Sequence, residues 1–136
     1  MPCDWCGATW RARAMVLALL QALGKPNVAL SQVNEDWSLR GIGISDDIKI
    51  ASKLGGKFSY VNTYYHQGPK LDLCAVDEQW LKSSRFIICS DVLEHIDIGI
   101  TKAFIGLRSL LHLNGFLVAS VPVGKLEGHS EFYRDL

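Results

Sequence analysis

The stretch Arg85-Phe86-Ile87-Ile88-Cys89-Ser90 decides the fold, because it is a short apolar run that has no polar face. Strands that are covered on both sides have this composition, and they lie at the centre of parallel sheets. Residues 97–113 follow with apolar side chains at helical spacing, and residues 116–123 form a second apolar run after Asn114-Gly115. A strand, a helix and a strand in this order predict a parallel α/β unit in which the 85–90 strand is interior.

The same alternation of strands and helices extends toward the N-terminus. Thr9 is placed to cap a helix over residues 10–23, and a later helix is predicted to begin after Asp46 or Asp47. We therefore expect an α/β fold with a Rossmann-like, mostly parallel sheet between flanking helices. The predicted strands cover residues 28–33, 40–45, 58–63, 85–90 and 116–122.

Length and charge exclude several classes of protein. A chain of 136 residues has the length of one domain, here a segment and helix over 1–26 and a core over 27–136. Fourteen basic residues balance fourteen acidic ones, so no nucleic-acid or membrane partner is predicted. Residues 11–20 imitate a signal peptide, but no small-x-small cleavage site follows, which favours the cytoplasm. A net charge near zero also favours association into a homodimer.

The four cysteines do not form a disulfide framework. Cys74 and Cys89 lie in apolar runs and are predicted to be buried thiols. Cys3 and Cys6 have the spacing of half a zinc knuckle, but a tetrahedral site needs a second pair of ligands, and none is present. We therefore predict no metal site within the chain, and interpret the pair as half a site shared across a dimer or as the remnant of a longer knuckle.

Two segments, Phe86–Ile96 and Leu107–Pro122, resemble the class I S-adenosylmethionine-dependent methyltransferases. In that family a central strand ends in a small or acidic residue and is followed by a leu-glu-his motif, here Leu93-Glu94-His95. A helix and a leu-x-pro-gly-gly turn then lead into a strand that often ends near proline. The resemblance implies S-adenosylmethionine as cofactor, and it favours an enzyme that transfers a methyl group to a small or sugar-like acceptor.

The resemblance also implies which residues form the site. Residues 40–47 resemble the family's second strand, and Asp72 is the candidate for the adenine. His95 or Glu94 is the candidate general base, because both follow a strand end that faces the ligand crevice. In the structural alternative, Glu94 pairs locally and His95 packs at the start of a helix. The candidate cofactor-binding residues are Gly41, Gly43, Ser45, Asp46, Asp47, Asp72, Ser90 and Asp91.

The family's glycine-rich loop can be sought in two registers. In the favoured register the first strand is 28–33, which no glycine follows closely, and Gly43 stands where an acid usually holds the ribose. In the other register Gly41-Ile42-Gly43 is the loop itself, and Asp46 opens the next helix. A Gly-x-Gly pair alone is weak support for a nucleotide loop.

The C-terminal part of the chain bears on both fold and function. The family's final antiparallel strand pair is expected to be missing after Val123, which would leave residues 116–121 as an apolar edge that a second chain or the tail 124–136 covers. Together with the missing glycine loop, this leaves an alternative function open, that of a non-catalytic binding or assembly module. A nicotinamide-dependent oxidoreductase fits less well, because the Leu93-Glu94-His95 and Asn114-Gly115 motifs do not belong to that pattern.

Overall fold

The computed structural model describes residues 7–97 and 99–122 as an α/β fold with one four-stranded sheet. Single turns of 3-10 helix cover Leu30–Gln32, Glu78–Trp80 and Leu93–His95. The helices and strands are α1 (Trp10–Ala22), β1 (Asp36–Ile44), α2 (Ile48–Gly55), β2 (Phe58–Thr63), β3 (Ser84–Ser90), α3 (Ile100–Leu110) and β4 (Leu111–Ser120).

All pairings in the sheet are parallel, in the order β2-β1-β3-β4. Ile42 of β1 lies beside Val61 on one side and Ile87 on the other. The interior position predicted for the 85–90 strand is confirmed, and so is the Rossmann-like α/β class. In such sheets the carboxyl ends of the strands open toward the ligand crevice.

The apolar run of β3 is explained by two hydrophobic layers. Phe86 and Ile88 face the layer formed with α1 and α2, whereas Ile87 and Cys89 face the layer formed with α3 and residues 71–80. Each of these four side chains is at most 1% exposed. Because successive residues of a strand point to opposite faces, a strand covered on both faces needs apolar residues at every position.

Side-chain caps begin the first two helices where the sequence predicts them. The N–H of Ala12 donates to Oγ1 of Thr9 at 3.1 Å, and the N–H of Lys49 donates to Oδ1 of Asp47 at 2.8 Å. These bonds satisfy amide groups that have no partner within the helix.

The prediction of a strand over residues 28–33 is wrong. Residues 30–32 form a 3-10 turn instead, and the N–H of Ala29 donates to the Gln32 side chain at 3.0 Å. Val33 is the one residue of 28–33 that is buried, so the segment offers too little apolar surface for a core strand. Because β1 pairs directly with β3, the described part of the sheet has no position for a strand between them.

Three further predictions need correction or lie outside the description. Cys74 is exposed rather than buried, because the turn at residues 73–75 buries the side chain of Leu73 in the core and leaves that of Cys74 on the surface. The last strand begins at Leu111 and includes the predicted turn at Asn114. Cys3, Cys6 and the tail 123–136 lie outside the described residues, so the zinc half-site and the terminal strand pair stay predictions.

Within residues 7–97 and 99–122, no helix has the length and apolarity needed to cross a membrane.

Candidate functional site

The carboxyl ends of β1 and β3 turn sharply through residues with left-handed backbone. Ser45 has φ 55° and Asp91 has φ 54°. The Ser45 N–H donates to the carbonyl of Thr63 at 2.8 Å, and the Asp91 N–H donates to the carbonyl of Ser120 at 3.1 Å. Each turn is therefore tied to the neighbouring strand, which holds the following residues close to the mouth of the sheet.

A cleft of about 560 Å³ opens at these strand ends. Its volume lies in the range typical of small-molecule sites. Polar side chains from four segments line it: Ser45 after β1, residues 63–66 at the end of β2, Asp72 in the loop before β3, and His95 and Asp97 after β3. Its apolar lining comes from Ile44, Leu71, Leu73, Val92 and Ile96.

Asp72 is held in place at the cleft by its own turn. Its Oδ1 accepts a hydrogen bond from the backbone N–H of Cys74 at 2.8 Å. The flanking residues Leu71 and Leu73 are buried, which anchors the segment against the core. His95 is exposed at the cleft, where a ligand can reach its ring. Three predicted site residues, Ser45, Asp72 and His95, are thus brought together.

A second polar group, which we call the Asp46 cluster, consists of Asp46, Tyr60 and Asn62 on the α1/α2 side of the sheet. The hydroxyl of Tyr60 donates to Oδ2 of Asp46. Asn62 holds the Asp46 backbone through both ends of its amide: Oδ1 accepts the Asp46 N–H, and Nδ2 donates to the Asp46 carbonyl, each at 2.9 Å. Asp46 is only 6% exposed, and its Oδ1 has no hydrogen-bond partner among the described residues.

Burial changes the acid–base properties of the groups at these strand ends. Loss of hydration raises the pKa of Asp46 to about 7, against the opposing hydrogen bond from Tyr60, and the nearby charge of Asp47 raises it further. Burial and the Asp46 carboxylate raise the pKa of Tyr60 far above its usual value, so Tyr60 stays a donor. Burial also raises the pKa of the Cys89 thiol to about 12, which makes it a poor nucleophile.

Gly41 and Gly43 lie inside β1, paired on both sides, and therefore do not form a loop. A Cβ on Gly41 would collide with the ring of Phe86. A Cβ on Gly43 would collide with the Tyr60 hydroxyl and would lie 2.7 Å from Oδ2 of Asp46. The space that the glycines leave open is thus filled by the protein's own side chains.

The other predicted site residues lie outside the lining of the cleft. The carboxylate of Asp91 pairs with Arg11 of α1, and the Ser90 hydroxyl lies 2.8 Å from that of Ser120. Oδ1 of Asp91 and Oε2 of Glu94 are buried without a hydrogen-bond partner among the described residues. Asp47 caps α2 and lines a different cavity.

Sequence reasoning did not identify the partners of these groups. Tyr60 was expected only as a member of a loop rich in aromatic residues, and Arg11 only as part of an imitation signal peptide. The alternation of Phe58, Tyr60 and Asn62 places them on one face of β2, but their pairing with Asp46 depends on strand register. Comparison of the chain with protein-family models, with curated proteins and with solved structures gives no match.

Proposed function

We propose that this chain binds S-adenosylmethionine in the cleft at the strand ends and transfers its methyl group to a small or sugar-like acceptor. The observation that supports this most directly is the position of the cleft. It lies at the carboxyl ends of parallel strands, where α/β folds of this class bind ligands, and directly beside the Leu93-Glu94-His95 turn.

The lining of the cleft fits the adenosine part of the cofactor. Leu71, Leu73 and Val92 offer apolar surface against which a purine ring can lie. The Asp72 carboxylate offers an acceptor for an exocyclic amine or a hydroxyl, and the Ser45 hydroxyl offers a second polar contact. The end of β2 adds the polar groups of residues 63–66 to the lining, and polar groups that converge on an apolar cleft can orient one ligand.

The charge at the strand ends supports a positively charged ligand. Oε2 of Glu94 is buried without a hydrogen-bond donor among the described residues, whereas the carboxylate of Asp91 already pairs with Arg11 through its other oxygen. Buried carboxylate oxygens without partners are costly, so a nearby cation stabilises them. S-Adenosylmethionine carries a sulfonium and an ammonium group, and we expect its amino-acid part to lie on the side of the cleft toward Glu94, which itself lies outside the lining.

The chemistry divides between the cofactor and the chain. The cofactor supplies an activated methyl group when bound. The chain contributes by aligning the acceptor, which is the main source of rate in a direct transfer. The His95 ring is the better candidate to accept the acceptor's proton, because it is exposed at the cleft whereas Oε2 of Glu94 is buried.

Titration calorimetry with S-adenosylmethionine and S-adenosylhomocysteine tests the proposal. Asp72→Ala should weaken binding by about 1–3 kcal/mol, because it removes a hydrogen-bonding partner. His95→Ala should leave cofactor binding unchanged but slow methyl transfer by about a hundredfold. Asp77→Ala removes an exposed carboxylate outside the cleft, and it serves as the matched control.

An alternative function has its own supporting observation. Protein side chains fill the space beside Gly41 and Gly43, so a cofactor cannot approach the β1 backbone there as it does at a glycine-rich loop. A folded chain that shows no binding of either nucleoside at millimolar concentration would exclude the methyltransferase proposal. The non-catalytic binding or assembly module would then replace it.

A further inference from the structure

A cavity of about 880 Å³ lies between α1, residues 28–31 and α2. None of the described residues lines both this cavity and the cleft at the strand ends. It lies on the α1/α2 side of the sheet, so a ligand there would be separated from the proposed cofactor. Its volume falls within the range of cavities that bind small molecules.

The floor and walls of this cavity are largely apolar. The helix α1 has more apolar surface than the core uses: Leu19 and Leu20 are fully buried, whereas Leu17 is 54% exposed and lines the cavity. Exposed apolar surface in a concave site is stabilised when a ligand removes it from water. The apolar side chains that line it include Val16, Leu17, Leu20, Val28, Leu30 and Ile50.

Cationic side chains surround the apolar surface. Lys49 and Lys53 are four residues apart and therefore lie on one side of α2, Lys57 lies in the turn between α2 and β2, and all three line the cavity. Arg13 lines it from α1. The acidic group in the lining is Asp47, whose Oδ1 accepts the N–H of Lys49. Among the described residues, the lining therefore carries four cationic side chains and one carboxylate, and the inference below uses only Lys49 and Lys57.

From this combination we infer that the cavity binds a single-chain amphiphile with an anionic head group, of the fatty-acid class. The hydrocarbon chain lies between α1 and α2 against Val16, Leu17 and Ile50. The head group lies toward Lys49 and Lys57. A purely polar anion would leave the apolar walls exposed to water, and a neutral hydrocarbon would not interact with the cationic side chains. The apolar and the cationic parts of the lining together therefore favour an amphiphile.

Calorimetry with dodecanoate, kept below its aggregation concentration, tests the inference on the full chain. We expect saturable binding of one molecule per chain, with native mass spectrometry as the check on stoichiometry. Dodecyltrimethylammonium has a similar chain but the opposite charge, and it should bind about tenfold or more weakly. Dodecanol measures the apolar contribution without a charged head group.

Two variants separate the apolar contribution from the electrostatic one. Lys49→Glu with Lys57→Glu should weaken dodecanoate binding by about tenfold or more and leave dodecanol binding unchanged. Glu at position 49 also suits the first turn of α2, so the helix is retained. Its control is Lys82→Glu with Lys102→Glu, which reverses two exposed charges outside the cavity.

Val16→Trp should fill the cavity and abolish binding of both dodecanoate and dodecanol. Leu113→Trp, at a side chain that is 87% exposed on β4, is its control. Unchanged binding in a folded Val16→Trp variant would overturn the inference, as would equal affinity for the anionic and cationic amphiphiles. Failure of the folded chain to bind dodecanoate, or binding only to vesicles that contain anionic lipid, would overturn it as well.

Discussion

Asp46 lies where a strand end, a helix start and the core meet. Its carboxyl group is 6% exposed, accepts one hydrogen bond from Tyr60 and leaves Oδ1 without a partner among the described residues. A buried carboxyl group in this position favours its neutral form, which is why its pKa rises to about 7. The protein therefore carries a group whose charge changes near physiological pH.

Replacing Asp46 should make the stability of the protein less dependent on pH. In the unfolded chain the carboxyl group ionises near 3.8, whereas in the folded chain its pKa is about 7. Between these pH values the folded state holds one more proton than the unfolded state. The unfolding free energy of the wild type therefore falls as pH rises through this window, and the fall is complete above the folded pKa. The unfolding free energy of the wild type should fall by about 2–4 kcal/mol between about pH 4 and about pH 8.5, and Asp46→Asn should not show this fall.

Urea denaturation at several pH values measures this difference. Glu35→Gln removes an exposed carboxyl group and controls for the change in net charge. Parallel pH profiles for the wild type and Asp46→Asn would show that the pKa of Asp46 does not differ between the folded and unfolded states, which would contradict the prediction.

At the scale of elements, the helix α3 packs unusually close to the segment before β3. Gly106 of α3 lies against the backbone of Leu73, and a Cβ at this position would collide with the Leu73 carbonyl oxygen and lie 2.9 Å from its carbon. The absence of a side chain therefore lets the helix approach the 71–76 loop. Since Leu73 also lines the cleft, the same contact positions one of its walls.

Gly106→Ala should destabilise the protein by about 1–3 kcal/mol, because the helix must shift away from backbone atoms that cannot move independently. The matched control is Gly55→Ala at the end of α2, where a Cβ would meet nothing within 4 Å. That substitution should stabilise the protein by up to about 0.5–1 kcal/mol by reducing the freedom of the unfolded chain. Thermal or urea unfolding measures both, and an equal effect of the two substitutions would contradict the close approach.

At the scale of the whole molecule, β4 is the outer strand of the described sheet. No described residue pairs with its outer side. Leu113 on β4 and Val121 just after it expose 87% and 50% of their surface. Exposed strands of this kind pair with further chain segments unless they are protected. The prediction that a second chain or the tail 124–136 covers this edge therefore stands.

If a second chain covers the edge, sedimentation should show a dimer whose association weakens in Ala119→Lys. Ala119 is exposed on β4, and a lysine on an outer strand opposes pairing between chains. The control is Lys102→Ala, which changes an exposed residue on α3 rather than on β4. A monomeric wild type whose amide hydrogens on residues 116–120 exchange without protection would contradict coverage by either partner.

The sequence by itself determined those helices and strands that can be recognised from the pattern of neighbouring residues along the chain. The interior position of β3 followed from an apolar run without a polar face, and the start of α1 followed from Thr9. The sequence placed the start of α2 after Asp46 or Asp47, and the structure selects Asp47 as the cap. The segment 28–33 was assigned to the wrong class, because a few apolar residues satisfy a strand pattern but only Val33 has a core to enter.

Only the tertiary structure decided what the site residues contact. Tyr60 and Asn62 reach Asp46 across 14 and 16 residues of sequence, because the register of β1 against β2 brings them together. The pairing of β1 with β3 and with β2 shows that Gly41 makes room for Phe86 and that Gly43 makes room for Tyr60. The cleft and the α1/α2 cavity each draw their lining from segments far apart in the chain, and the packing that joins such segments is not encoded in any local pattern.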